Sequence, residues 1–371
     1  MGLATDRALK HIDRSEEEAT ARGRRGERGV ATLIALGGAL AILGMAALVI
    51  DVGYVVLTRT QLQNIADAGG ISGSRELARV YDDLGPTGDY RKHTLTGSQK
   101  ARVLANINEF AQQNDAAGKS ISIDAGDVVF GTYDKSTGTI TATDKGAEVV
   151  QVRARRDETA NGAVSTLLAS VLGVDTFQVS ASAANAGVTA ASAMPPGTGD
   201  VPIGISKAWF TARDSPCGTD SGIKFHPTNS TVGCAGWHVF TEPTASASKL
   251  RSVIDGLRTG TFTAPAVTAN ATYFNFTGGT VSSAYDEFEE LYEAKKDASG
   301  NWRVNVPVYD YPDCKNPHGE IKIIGFARAK IYNVTKHSID ANVECDVVEF
   351  GTGDGTADYF GVAVGRPRTI Q

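Results

Sequence analysis

The sequence contains no HExxH, GxSxG or P-loop pattern, so zinc peptidase, α/β-hydrolase and phosphate-cradle chemistries have no starting motif. It has no CxxC or HxxxH spacing, which leaves a structural zinc site without its usual ligand rhythm. It has no excess of base: 36 Lys and Arg stand against 42 Asp and Glu, a net charge of −6. A broad electrostatic attraction to nucleic acid is therefore not expected. No cysteine precedes Cys217, and no strong internal repeat is visible. Between Val30 and Ile50 there is no charge at all.

What is present points to a folded chain. With 42% hydrophobic and 21% charged residues, it has enough apolar surface to bury cores rather than stay disordered. Its 371 residues suffice for two ordinary domains plus an anchor. The 41 glycines fit many turns and short strands.

The uncharged stretch reads VATLIALGGALAILGMAALVI, with Thr32 as its one polar side chain. As a helix it spans about 30 Å, the thickness of a bilayer's hydrocarbon core. A buried soluble helix is the competing reading. Arg22, Arg24, Arg25 and Arg28 precede the stretch, and the first base after Asp51 is Arg59. The positive-inside rule then places residues 1–29 in the cytoplasm as a polar, disordered tail, and the C-terminal bulk outside. The polar leader is too long for a typical cleaved signal peptide. Cleavage after Gly29 in the manner of a prepilin is disfavoured, because such signals place Glu at the fifth mature position, and here it is Ile34. Gly37, Ala41 and Gly44 share one helix face, where small side chains permit close helix–helix packing in lipid. Gly and Ala are also simply common in membrane helices.

Cys217, Cys234, Cys314 and Cys345 all lie in the C-terminal part. An even count outside the cytoplasm predicts two disulfides. Spacing alone leaves three pairings open; neighbours in sequence, Cys217–Cys234 and Cys314–Cys345, are the expected ones. The competing reading is a zinc site using His226 and His238, near the first pair.

After the anchor, Leu62, Ala66, Gly69, Gly73, Leu77 and Val80 recur at helical spacing. Gly69, Gly70 and Gly73 each weaken a helix by up to about 1 kcal/mol relative to Ala. They mark either a break or a close approach by a neighbour. A second helix is expected over Gln99–Asn114, with Val103, Ile107 and Phe110 inward. Strands are expected at 121–123, 128–133, 139–143 and 148–156, with a hairpin turn at 134–138. A short helix follows over 164–172, then a strand from Phe177. Residues 51–188 read as a stalk helix and a first α+β domain. Residues 189–202 read as a linker. Residues 203–371 read as a second α+β domain, with helices over 246–258 and 283–296 and strands from Trp302, Glu320 and Ile339.

Two local motifs carry a hint of chemistry. Ser246 and Lys249 form SxxK, in which a lysine can activate a serine. The SDN and KTG elements that accompany it in penicillin-recognising enzymes are missing, and the motif opens an ordinary amphipathic helix. GTGDGTAD at 351–358 has the composition of a cation or phosphate loop but fits neither the EF-hand nor the Walker spacing; it reads as a turn. Asn-x-Ser/Thr occurs at Asn229, Asn270, Asn275 and Asn333 and matters only in a eukaryotic secretory pathway.

The stretch ERGVATLIALGGALAILGMAALVIDVGYVVLTRTQLQNIADAGG resembles the N-terminus of TadG-like proteins of bacterial Tad, or Flp pilus, systems. Arg28-Gly29, Asp51-Val52-Gly53, and Leu62-Gln63 with Ala66-Asp67-Ala68 carry the likeness. VVQVRARRDE, VSASAANA, GWHVF and the segment from VNVPVYDY to IIGFARAKI are similar to later parts of the same proteins. The family commonly continues with alanines where Gly69 and Gly70 stand here. The resemblance implies an inner-membrane protein with a periplasmic part that helps assemble or anchor a thin adhesive pilus. The von Willebrand A domain of some relatives would carry DxSxS, which is absent. The expectation is thus a non-enzymatic structural protein without cofactor or metal, contacting Tad/Flp pilus or secretion-machine proteins and the inner membrane, with homo-oligomerisation left open. An adhesive or ligand-binding ectodomain in residues 201–371 is the alternative; an envelope hydrolase built on Ser246 and Lys249 is the third reading.

Overall fold

Helix α1 takes up the apolar stretch and continues well beyond it, from Leu3 to Asp82. In this computed structural model the described residues are 3–218, 221–225, 233–277, 281, 283–314, 317–348, 351–353 and 356–370. Residues 3–29, expected as a disordered tail, are helical. The chain is a mixed α+β protein: the long helix is followed by a strand-rich region with further helices. Its contacts group residues 1–61 with 155–179, and residues 62–154 with 180–371.

The first unit contains the apolar part of α1 and a small hairpin. Strands at Val164–Ser165 and Thr176–Phe177 pair antiparallel, and the loop between them holds a 3-10 turn, Ala169–Leu172. The helix expected over 164–172 is thereby replaced. Gly173, at φ +83°, ends the turn, and a run of only four residues cannot repay helix nucleation.

In the second unit, α1 passes its three glycines without a break. A Cβ on Gly73 would lie 2.7 Å from Ile107, and one on Gly70 would lie 2.1 Å from Asn185. The glycines therefore admit close neighbours rather than interrupting the helix. Ile107 belongs to α2 (Gly97–Ala111), which starts with a capping box between Thr96 and Gln99. Its buried face is Val103, Ile107 and Ala111. Phe110, expected inward, is 40% exposed, because the i, i+4, i+8 row falls on Ala111 instead. Replacing Gly73 by Leu should overpack this contact and cost about 1–3 kcal/mol. A shift of the urea midpoint measures it, and an unchanged midpoint would show that Ile107 has room to move.

Five strands form the sheet behind these helices: β1 (Val128–Asp134), β2 (Thr139–Ala142), β3 (Val149–Arg156), β4 (Val179–Ala186) and β5 (Arg368–Thr369), in the order β5-β4-β3-β1-β2. The β1–β2 turn is the expected one. Asp134 accepts the Ser136 N–H at 2.8 Å, and Gly138 takes φ +70°, which Gly alone tolerates well. Residues 121–123 form no strand, although Ile121 and Ile123 are buried. Residues 189–202 carry short strands at Thr189–Ala190 and Ala193–Met194 and bury Ala191, Met194 and Val201.

A second sheet follows, built from β6 (Ile203–Ser206), β7 (Gly222–Phe225), β8 (Ala235–His238), β9 (Tyr273–Thr277), β10 (Trp302–Tyr309), β11 (Gly319–Thr335) and β12 (Ser338–Glu344). Its order is β7-β12-β11-β9-β8-β6-β10, and β10 pairs back onto β11. Five of the strands therefore close into a ring, which leaves β10 no free edge. β11 manages this by its length: residues 319–322 pair with β9 and residues 323–331 with β10. Helices α3 (Ala247–Thr259) and α4 (Ser283–Lys295) cover the sheet with Leu250, Val253, Ile254 and Leu257 and with Tyr285, Phe288, Leu291 and Tyr292. Trp237 meets Tyr285 and Phe288 edge-on at 5.5 Å. Each such large side chain contributes roughly 1.5–3 kcal/mol by leaving water.

Candidate functional site

The apolar stretch of α1 is the feature with the plainest physical demand. Its described large side chains from Val30 to Ile50 are 49–71% exposed, and the helix is long and apolar enough to cross a membrane. No atom lies within 4 Å of a Cβ built on Gly37 or Gly44. The small-residue face that includes Ala41 is thus open to approach.

At the end of that stretch stands a buried carboxylate. Asp51 is 1% exposed. It accepts the backbone N–H groups of Leu167 at 2.7 Å, Leu168 at 3.1 and 3.2 Å, and Ala169 at 2.5 Å. Burial pushes its pKa up, but the N–H groups of Leu167, Ala169 and Leu168 outweigh that and hold it below the usual carboxylate value. In the sequence Asp51 reads only as a flank of the apolar stretch, and this tether is not visible there. A lone acid at the exit of an apolar run, with LLASVLGV a hundred residues on, was the available signal.

The four cysteines form two bridges, but not between neighbours in sequence. Cys217 pairs with Cys345 (Cα–Cα 5.5 Å) and Cys234 with Cys314 (4.2 Å). The sheet explains the correction. β7 and β12 are neighbours, which brings Cys217 to Cys345. β6 lies between β8 and β10, and Ser206 at its end donates from its N–H to the Cys234 carbonyl at 2.8 Å and from its hydroxyl to the Asp313 carbonyl at 2.9 Å. Non-local strand order, which spacing does not encode, sets the pairing.

The zinc reading finds no support. His226 lies outside the described residues. His238 is fully buried, with Nδ1 accepting the Phe240 N–H at 3.3 Å and with Phe274 and Phe276 against its ring. Among the described residues, no group of three His, Cys, Asp or Glu could hold a metal ion. Ser246 is the N-cap of α3 and accepts the Lys249 N–H at 3.2 Å. The Lys249 ammonium pairs with Glu242 at 2.8 Å. That geometry puts the serine hydroxyl at the helix end and the amine in an ion pair with Glu242. In 351–358, residues 354 and 355 lie outside the described residues; Thr352 exchanges backbone hydrogen bonds with Ala193 at 3.1 Å. Asn229 is also outside them, while Asn270, Asn275 and Asn333 donate their amides to Thr356, Glu242 and Asp340.

Polar groups lock α1 to α2 in the second unit. Buried Glu76 pairs with Arg102 and with Arg79 at 2.9 Å, and Arg102 also reaches Asp83 at 2.6 Å. Beside this contact, α2, β1 and β2 enclose an open groove of about 630 Å³ lined by Ala101, Leu104, Val128 and Phe130, with the Lys100–Asp144 pair (2.7 Å) at its side. This groove lies outside residues 201–371, where the adhesive reading expected a pocket.

Comparison with known proteins bears on two stretches of the chain. Residues 29–76 match the Flp pilus-assembly TadE/G-like family. Residues 91–184 match the Tad-like Flp pilus-assembly family. No curated protein and no solved structure matches. The exposed apolar stretch, Asp51 and the glycine-bearing part of α1 fall in the first match, and α2, strands β1–β3, the tethered hairpin and most of β4 fall in the second; these two stretches of the chain are similar to the Flp pilus-assembly TadE/G-like and Tad-like families.

Proposed function

We propose that this chain is a membrane-anchored structural component of the Tad/Flp pilus assembly or secretion machinery. It is held in the bacterial inner membrane by Val30–Ile50, with its N-terminus cytoplasmic and its bulk periplasmic, and it acts through protein–protein contacts. The observation that carries the reading is the exposed apolar stretch of α1 inside a pilus-assembly family match. In water, that much exposed apolar surface on one helix would drive aggregation; in lipid it costs nothing. Arg22, Arg24, Arg25 and Arg28 before the stretch favour a cytoplasmic N-terminus. Two disulfides in the following body suit an oxidising compartment. The open face of Gly37, Ala41 and Gly44 offers a packing surface for a second copy or a partner's helix. The groove beside α2 and the edge strand β2 offers another outside the membrane.

Crosslinking the intact protein in its native membrane, followed by mass spectrometry, tests this. Pilins or secretion-platform proteins are expected among the products, together with links to periplasmic residues of this chain. Products limited to copies of itself or to extracellular material would reject the assembly role and favour the adhesive one.

A further inference from the structure

We propose that the loop between the two strands of the tethered hairpin, residues 166–175, lies in the lipid interface of the membrane that α1 spans, held at that depth by Asp51. The proposal rests on the anchor reading above. Three observations within the first unit carry it.

The loop exposes a concentration of apolar side chains. Val171 is 85% exposed and Leu167 57%, and Leu168 and Val174 add to the same patch. From Thr166 to Val174 there is no charged residue. Exposed clusters of this kind mark a surface that something else covers.

The loop is fixed to the anchor at one height. Asp51 is the residue after Ile50, where the uncharged stretch ends, and it holds three consecutive N–H groups of the loop. α1 stays apolar and exposed beyond it at Val52, Val56 and Leu57, and the next base is Arg59, about 12 Å further along the axis. The patch is therefore continuous with the lipid-facing surface of α1 and lies where hydrocarbon gives way to headgroups.

The loop's backbone is suited to that setting. Thr166 N–H donates to Asp175, Val171 to Leu168, Gly173 to Ser170 and Val174 to Ala169, at 3.0–3.2 Å, and Asp51 takes the donors of residues 167–169. A loop whose N–H groups are internally engaged enters a water-poor layer at little cost. The carboxylate is likewise buried with its partners rather than bare. An apolar patch that dips a few ångströms into the interface, beside a spanning helix, resists tilting and rotation of that helix much as an interfacial anchor does.

The test uses the full chain in vesicles of phosphatidylcholine and phosphatidylglycerol carrying bromine at defined acyl depths. All four native cysteines are bonded, so one added cysteine takes an environment-sensitive fluorophore. Three sites are compared: Val171→Cys in the loop, Leu40→Cys inside the spanning stretch, and Glu158→Cys in the exposed polar turn of the same unit. The expected result is a blue-shifted Val171→Cys probe quenched most by shallow bromine, a Leu40→Cys probe quenched most by deep bromine, and a Glu158→Cys probe unaffected. If Leu40→Cys is quenched and Val171→Cys behaves like Glu158→Cys, the loop is in water and this inference falls while the anchor stands. If Val171→Cys is shielded from both lipid bromine and aqueous iodide, a second copy or another protein covers the loop, and lipid is the wrong occupant. If Leu40→Cys is not quenched either, the anchor reading fails and takes this one with it.

Discussion

Replacing Cys217 and Cys345 together by serine should lower the unfolding free energy by about 4 kcal/mol. The bridge closes a stretch of 128 residues, of which the Cys234–Cys314 bridge already ties off 80. The effective loop is then about 50 residues, and the chain-entropy relation gives about 4 kcal/mol for that length. Urea unfolding of the pair variant under non-reducing conditions measures it. A single Cys217→Ser variant separates this connectivity from the sequential one: alkylation should find the free thiol at Cys345, whereas pairing of neighbours would leave it at Cys234. A pair variant with an unchanged midpoint would mean that the strands around β7 and β12 hold without the bridge.

Acid should weaken the second unit well above the range where ordinary carboxylates titrate. Burial among Phe240, Phe274 and Phe276 pushes the His238 imidazole down to about 3, against a smaller upward pull from a backbone hydrogen bond with Ile203. The unfolded imidazole titrates near 6.5. Between these values the unfolded chain binds the proton and the folded one does not, so stability rises with pH there. The contribution is fully present above about pH 6.5 and is lost as pH falls toward 3, at up to about 1.4 kcal/mol per unit. His238→Phe removes the titration while keeping an aromatic ring. Near neutral pH it should be the less stable protein, because the Phe240 N–H loses its acceptor, and it should show a flatter acid slope, so that the difference shrinks or reverses as pH falls. Equal slopes in the two proteins would show that another group carries the acid sensitivity.

Local signals in the sequence located most elements. The i, i+3, i+4 pattern of Leu250, Val253, Ile254 and Leu257 and the Asp134–Gly138 turn both landed on the right structure. These depend on neighbours within a few residues, where periodicity and turn chemistry act directly. The errors have a common cause in distance. Gly73 could be placed at a close approach or a break, but nothing near it in sequence named Ile107. Phe110 matched the helical row as well as Ala111 did, and only the packing of α2 on α1 chose between them. The disulfide pairing needed the order of seven strands. The tether from Asp51 to Ala169 crosses more than a hundred residues of chain, so neither its existence nor the exposed patch it holds was visible from either end.

The nested connectivity has a consequence for export. On the proposed orientation the N-terminus stays in the cytoplasm and the part after Ile50 crosses in sequence order, so Cys217 and Cys234 reach the oxidising side well before Cys314 and Cys345. The first pairing open to them is the one the folded protein does not contain. A thiol oxidant acting on each cysteine as it emerges would join them, and the native bridges would then need exchange through a mixed disulfide. β11 and β12 deliver the correct geometry only when residues 319–344 have crossed, because they complete the ring and set Cys345 beside β7. On that orientation the last fifth of the polypeptide would act as the template that corrects bonds begun by the middle, and folding would depend on disulfide shuffling as well as on oxidation.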